Sequence, residues 1–147
     1  MDVYYVILAL IAGACAPTQA GINSQLGSVA GDPSLAAMIS FMVGAVGLTA
    51  YVLVTGVPWP SIRIFVDVPW WMWTGGLLGA ILVFVSIVLA PKLGATATLG
   101  LIVAGQMMVS VILDHFGLVG YEEHRVNMWR ILGVVLLLSG VILIKKY

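Results

Sequence analysis

The chain has 147 residues, 62% of them hydrophobic and 8% charged, with six Lys and Arg balanced by six Asp and Glu; its mean hydropathy is +1.15. A water-soluble domain of this size needs far more polar surface, so composition excludes one. Zero net charge without a basic patch argues against nucleic acid as a partner, and the single cysteine, Cys15, allows no intrachain disulfide and reads as a small packing residue.

Nearly all charges fall between five uncharged stretches: Val3–Gly31, Pro33–Ile62, Val68–Pro91, Leu93–Leu113 and Ile131–Ile144. Roughly 20 apolar residues cross a ~30 Å hydrocarbon layer, so four of these are long enough outright. The fifth is only about 21 Å long as a helix; it extends through Val126 and Met128, and Arg130 and Lys145 can snorkel to the headgroups.

The first helix is predicted over about 3–26, with a bend at Pro17. Asp2, the missing basic residue before the apolar run and the length of that run argue against a cleaved signal peptide. The second, about 34–56, opens on Asp32-Pro33-Ser34, where proline suits a first turn and Asp32 caps free amides. The connection Val57–Val68 reads as a wide loop, although Ile62, Ile64, Phe65 and Val66 leave open a segment lying flat on the membrane. The third helix, about 69–90, has its entry marked by Trp59, Trp70, Trp71 and Trp73, rings that prefer the headgroup level, and is expected to end at Pro91. The fourth covers about 94–116 and the fifth about 128–144, anchored by Lys145-Lys146-Tyr147. No domain boundary is expected, so residues 1–147 read as a single five-helix transmembrane domain.

Small residues recur at helix-packing spacing: Ala36, Ser40 and Gly44; Gly75 and Gly79; Gly100 and Ala104. In lipid, apolar burial drives nothing between helices, so such stripes act by letting backbones approach. With the N-terminus on face A, that face receives Arg63, Arg125 and Arg130, and face B receives Lys92, Lys145 and Lys146. Three against three gives no strong orientation signal. An odd number of spans puts the termini on opposite faces, so two copies inserted in opposite senses would form an antiparallel homodimer, with the symmetry of inverted-repeat transporters. The alternative is one orientation chosen by a small bias or a partner subunit.

Polar side chains are concentrated on two spans. Gln19 and Asn23 share a face, as do Gln106, Ser110 and Asp114. An amide turned to lipid leaves hydrogen bonds unmade, so these faces must meet protein or a watery cavity. Gln19, Asn23, Gln106 and Ser110 are therefore the candidate substrate-binding residues; the competing reading is interhelical glue, worth ~0.6 kcal/mol per bond on average. Asp114, the one carboxylate inside a predicted span, lies near face A. It must reach water, find a partner or take up a proton, which makes it a candidate for coupling or gating and equally for a solvated helix end. No enzyme, metal or cofactor is expected. His115, His124 and Cys15 are too few and too scattered for zinc, no phosphate loop is present, and Ser110 and His115, five apart on a helix, do not face each other.

Several unusual polar residues recur in order within apolar helices: Ala16-Pro17-Thr18-Gln19-Ala20-Gly21-Ile22-Asn23-Ser24-Gln25-Leu26, Ser40-Phe41-Met42-Val43-Gly44, Pro69-Trp70-Trp71 with Gly75-Gly76-Leu77-Leu78-Gly79, Gly105-Gln106-Met107-Met108-Val109-Ser110 and Asp114-His115-Phe116-Gly117. From about residue 5 to residue 143 the chain resembles the YdcZ family, placed in the drug/metabolite transporter (DMT) superfamily. The resemblance implies a multi-pass protein of the bacterial inner membrane, all-α, with five transmembrane helices per subunit forming one inverted-repeat half of a ten-helix transporter. Small multidrug resistance proteins, in the same superfamily, work as antiparallel dimers and carry an essential glutamate in the first helix; here that helix has Gln19 and Asn23 and no such carboxylate. The function expected is export of a small molecule by alternating access in an antiparallel dimer, with a solute site between the first and fourth spans of inverted subunits. Neutral lining residues favour a neutral or weakly polar solute. A non-transporting membrane scaffold or accessory subunit is the alternative.

Overall fold

The computed structural model describes residues 2–147. Among the described residues, five helical segments are long and apolar enough to cross a membrane: Val3–Ala30, Pro33–Thr55, Trp70–Leu93, Ala95–Phe116 and Met128–Lys146. The chain is an all-α, multi-spanning membrane protein. In chain order its helices are α1 (Val3–Ala30), α2 (Pro33–Thr55), the single turn α3 (Ile64–Asp67), α4 (Thr74–Leu93, led in by a 3-10 turn Trp70–Trp73), α5 (Ala95–Phe116) and α6 (Met128–Lys146).

Local chemistry accounts for most of the ends. The Ser34 amide donates to Asp32 Oδ1 at 2.7 Å and the Ser34 hydroxyl donates to the same oxygen, closing the start of α2 as the Asp-Pro-Ser order predicts. Hydrogen bonds from the Ser34 side chain and then its backbone hold the Asp32 carboxyl below its ordinary range. Gly56, in the left-handed region at φ 67, returns its N–H to the Val52 carbonyl and ends α2.

Two predicted ends move. α1 continues four residues past 26, through Gly27, Ser28 and Val29 to Ala30; Ser28 Oγ donates back to the Gln25 carbonyl at 2.7 Å, and the first left-handed residue is Gly31 at φ 83. Pro91 does not end α4, which runs on to Leu93. Proline lacks its own donor and crowds the carbonyl four residues back, but Lys92 and Leu93 keep their donors and stay helical; the break comes at Gly94, with φ 81.

The described residues group into two compact units, Thr18–Pro91 and the chain up to Pro17 together with Lys92–Tyr147. In the Thr18–Pro91 unit, Ala36, Ala37 and Ile87 form a buried cluster with Leu26 and Val83 packed against it. Gly27 lies at the same contact, where a Cβ would meet Ile87 Cγ2 at 3.4 Å and the Pro33 Cα at 3.5 Å, ordinary van der Waals distances. Gly79 likewise admits the Phe41 ring, 3.4 Å from where its Cβ would be. In the α2–α4 connection, otherwise irregular around the turn of α3, Phe65 stacks on Trp73 with centroids 5.4 Å apart and planes 7° from parallel.

In the other unit α5 packs along α6. A Cβ on Gly100 would fall 2.9 Å from Val141 Cγ2, so the contact requires glycine. Ala104, one turn on, is buried. The small-residue stripes are thus used selectively: Ala36, Gly79, Gly100 and Ala104 are in contact, while Gly44 and Gly75 have nothing within 4 Å of a would-be Cβ. A small residue permits close approach without compelling it.

Candidate functional site

Gln19 and Asn23 sit one turn apart on α1, in the Thr18–Pro91 unit, but in different surroundings. Asn23 is 4% exposed, and its Nδ2 donates to Ser40 Oγ on α2 at 3.1 Å. Gln19 is exposed. The Asn23–Ser40 bond joins two of the polar positions that the sequence marks separately, one as a candidate ligand and the other as a small packing residue.

Gln106 and Ser110 lie on α5 in the other unit. Gln106, near the middle of its helix, is exposed. Ser110 is half-buried and lines a cavity of about 260 Å³ between α5 and α6, together with Met107, Val111, Asp114, Arg130 and Leu137. At one end of that cavity Arg130 Nη1 donates to Asp114 Oδ2 at 3.1 Å, with both side chains about 30% exposed. Asp114 has therefore found a partner.

The connection between α5 and α6 is folded back onto this pair. Gly117, at φ 58, terminates α5, after which the His124 amide donates to the Asp114 main-chain carbonyl at 2.7 Å. Arg130 Nη1 also donates to the His124 carbonyl at 3.2 Å. The Val126 amide donates to His115 Nδ1 at 3.2 Å, which requires that nitrogen to be unprotonated. Asn127 caps α6 by accepting from the Arg130 amide at 3.0 Å. One aspartate, one arginine and two histidines thus tie the last turn of α5 to the first of α6. His115 points away from Asp114 and serves the loop, as its 100° offset on the helix requires.

Arg130 is the residue that sequence reasoning overlooked. Both charges were assigned to face A, and they end and begin consecutive helices across a short connection, so a signal was present; composition alone does not say that the connection folds tightly enough to join them.

Chemically, the α5–α6 cavity offers one hydroxyl, a salt-bridged carboxylate and guanidinium, and apolar walls. The exposed Gln19 and Gln106 amides each supply two donors and an acceptor inside an apolar span. The profile of the family described as "Putative inner membrane exporter, YdcZ" matches residues 4–143. The chain belongs to the YdcZ family. The match reaches into all five spans of this YdcZ-family protein and includes every polar position named above. No curated protein and no solved structure matches it.

Proposed function

We propose that this YdcZ-family chain is a small-molecule transporter of the bacterial inner membrane, exporting its solute by alternating access in an antiparallel homodimer of ten helices. The observation that carries the reading is the exposure of Gln19 and Gln106 inside apolar spans of the single chain. Lipid cannot meet an amide's hydrogen bonds, so these side chains call for a watery pathway, a solute or the partner subunit; the family description as an exporter favours the first two. Gln19, Gln106 and Ser110 bind the solute by hydrogen bonds, and Asn23, tied to Ser40, joins them when that bond is exchanged. Asp114 acts in gating: its pairing with Arg130 supplies a counter-charge without a proton and links the ends of α5 and α6.

Cysteine accessibility tests this without knowledge of the substrate. In a Cys15→Ser background, Gln19→Cys and Gln106→Cys should react with a small membrane-impermeant thiol reagent in intact cells, whereas Val109→Cys, an exposed apolar position on α5, should not. Protection of both glutamine positions would favour the scaffold reading, in which the amides are glue. Labelling of a cysteine added after Tyr147 from both sides of the membrane is the matching expectation for the antiparallel dimer; labelling from one side only would remove it.

A further inference from the structure

We infer that the α5–α6 hairpin carries a binding site for an anionic phospholipid, with one acyl chain in an apolar groove and the phosphate held by Lys92, Lys145 and Lys146. The groove lies within the unit formed by the chain up to Pro17 and Lys92–Tyr147. It encloses about 520 Å³ and is lined by Pro17, Leu99, Val103, Leu137, Gly140 and Ile144, among others. That volume is of small-molecule size, roughly 300–1,000 Å³, and its walls are almost free of polar atoms. Gly140 opens it: nothing lies within 4 Å of where a Cβ would be.

The two ends of the hairpin differ in charge, and this selects the occupant. At the connecting end, Arg125 and Arg130 are each paired with a carboxylate, Glu123 and Asp114. At the other end, Ala95, Thr96 and Ile144 line the groove, and the lysines adjoin these in the chain. Lys145 follows Ile144 directly, and Lys92 stands three residues before Ala95. All three lysines are exposed, and among the described residues none has a carboxylate partner; Lys146 Nζ lies 5.4 Å from the Tyr147 ring centroid. An apolar groove alone cannot prefer one lipid to another, because acyl chains are as apolar as its walls. Unpaired lysines at this end of the hairpin can, by about fivefold each for an anionic over a zwitterionic headgroup. The inference needs only the membrane-spanning fold and is independent of the transporter reading.

The test uses the full-length protein purified in detergent, with thermal unfolding and native mass spectrometry after adding phosphatidylglycerol or phosphatidylcholine of matched chains. Phosphatidylglycerol should bind and stabilise preferentially. Lys92→Gln, Lys145→Gln and Lys146→Gln together should abolish that preference, and the corresponding three arginine replacements should retain it. Gly140→Leu, which fills the groove, should weaken binding of both lipids. Chain-free glycerol phosphate should have no effect. Equal binding of the two lipids by the wild type, persistence of the preference in the glutamine variant, or full activity of glycerol phosphate would each overturn the proposal. So would a Gly140→Leu variant that loses self-association while keeping its lipid preference, because the groove would then belong to a second copy of the chain.

Discussion

The two compact units hold themselves together by different means. Thr18–Pro91 relies on close approach, with Ala36 and Ala37 against Ile87, Gly27 at the same contact and Phe41 over Gly79; the Asn23–Ser40 bond is a side-chain tie between two of its helices. The unit containing α5 and α6 is closely packed as well, with Gly100 on Val141 and Ala97, Thr98 and Ala104 buried, and it adds a polar clasp built from Asp114, Arg130, His115 and His124. In lipid the hydrophobic effect does not press helices together, so packing must come from dispersion at short range or from polar bonds. The first unit uses mostly the former. The second adds the latter where α5 and α6 are joined, at the end of the hairpin richest in polar backbone.

This contrast predicts a hierarchy of sensitivities. The largest effect belongs to close packing: Ile87→Ala should destabilise by about 3 kcal/mol through the cavity it leaves, read as a lowered unfolding midpoint in detergent and insensitive to salt. A loss under 1 kcal/mol would show that the cluster around Ile87 is loosely packed.

Next comes the clasp. Asp114→Ala should cost about 1.5 kcal/mol, between the limits for exposed and buried pairs, and the loss should shrink when Arg130→Ala is added. If the two single costs simply add, the pair carries no coupling and the loop is held by its backbone bonds alone. Raised salt should weaken the wild type toward the Asp114→Ala variant, a response that Ile87→Ala does not share.

Asn23→Leu is expected to cost only ~0.6 kcal/mol, since an interhelical hydrogen bond in a membrane is worth about that on average and Ser40 can turn its hydroxyl to its own helix. A cost several times larger would make Asn23 a structural residue first and blur the distinction between the units.

The smallest effect concerns the cap of α2. The Asp32 carboxyl titrates below its ordinary value of 3.8 in the folded chain, so the unfolded chain takes up this proton first as pH falls. The cap's contribution is complete above that ordinary value and is lost as pH drops through the lower folded-state pKa. Asp32→Asn keeps a capping oxygen but cannot titrate there, so it should leave neutral stability nearly unchanged and reduce the loss in acid. Identical acid profiles for the two proteins would show that the Ser34 bonds do not distinguish the ionised carboxylate.

Much of this molecule was determined by local properties of the chain. The five spans, the Asp-Pro-Ser start of α2 and the loop around Pro58 and Pro60 follow from run length, charge spacing and capping chemistry, each of which acts within a few residues. The ends that moved were decided locally too, by backbone conformation: α1 passes through Gly27 and Ser28 to the left-handed Gly31, and α4 passes through Pro91 to Gly94. Only the tertiary structure decided which faces meet. Hydropathy treats every side of a span alike, so it could not tell Gly100, pressed on Val141, from Gly44, which faces open space, nor the bonded Asn23 from the exposed Gln19 one turn earlier. The union of Asp114 with Arg130 depended on the fold of the nine residues between Gly117 and Asn127, because a contact between separate helices is set by the path that joins them and not by the composition of either.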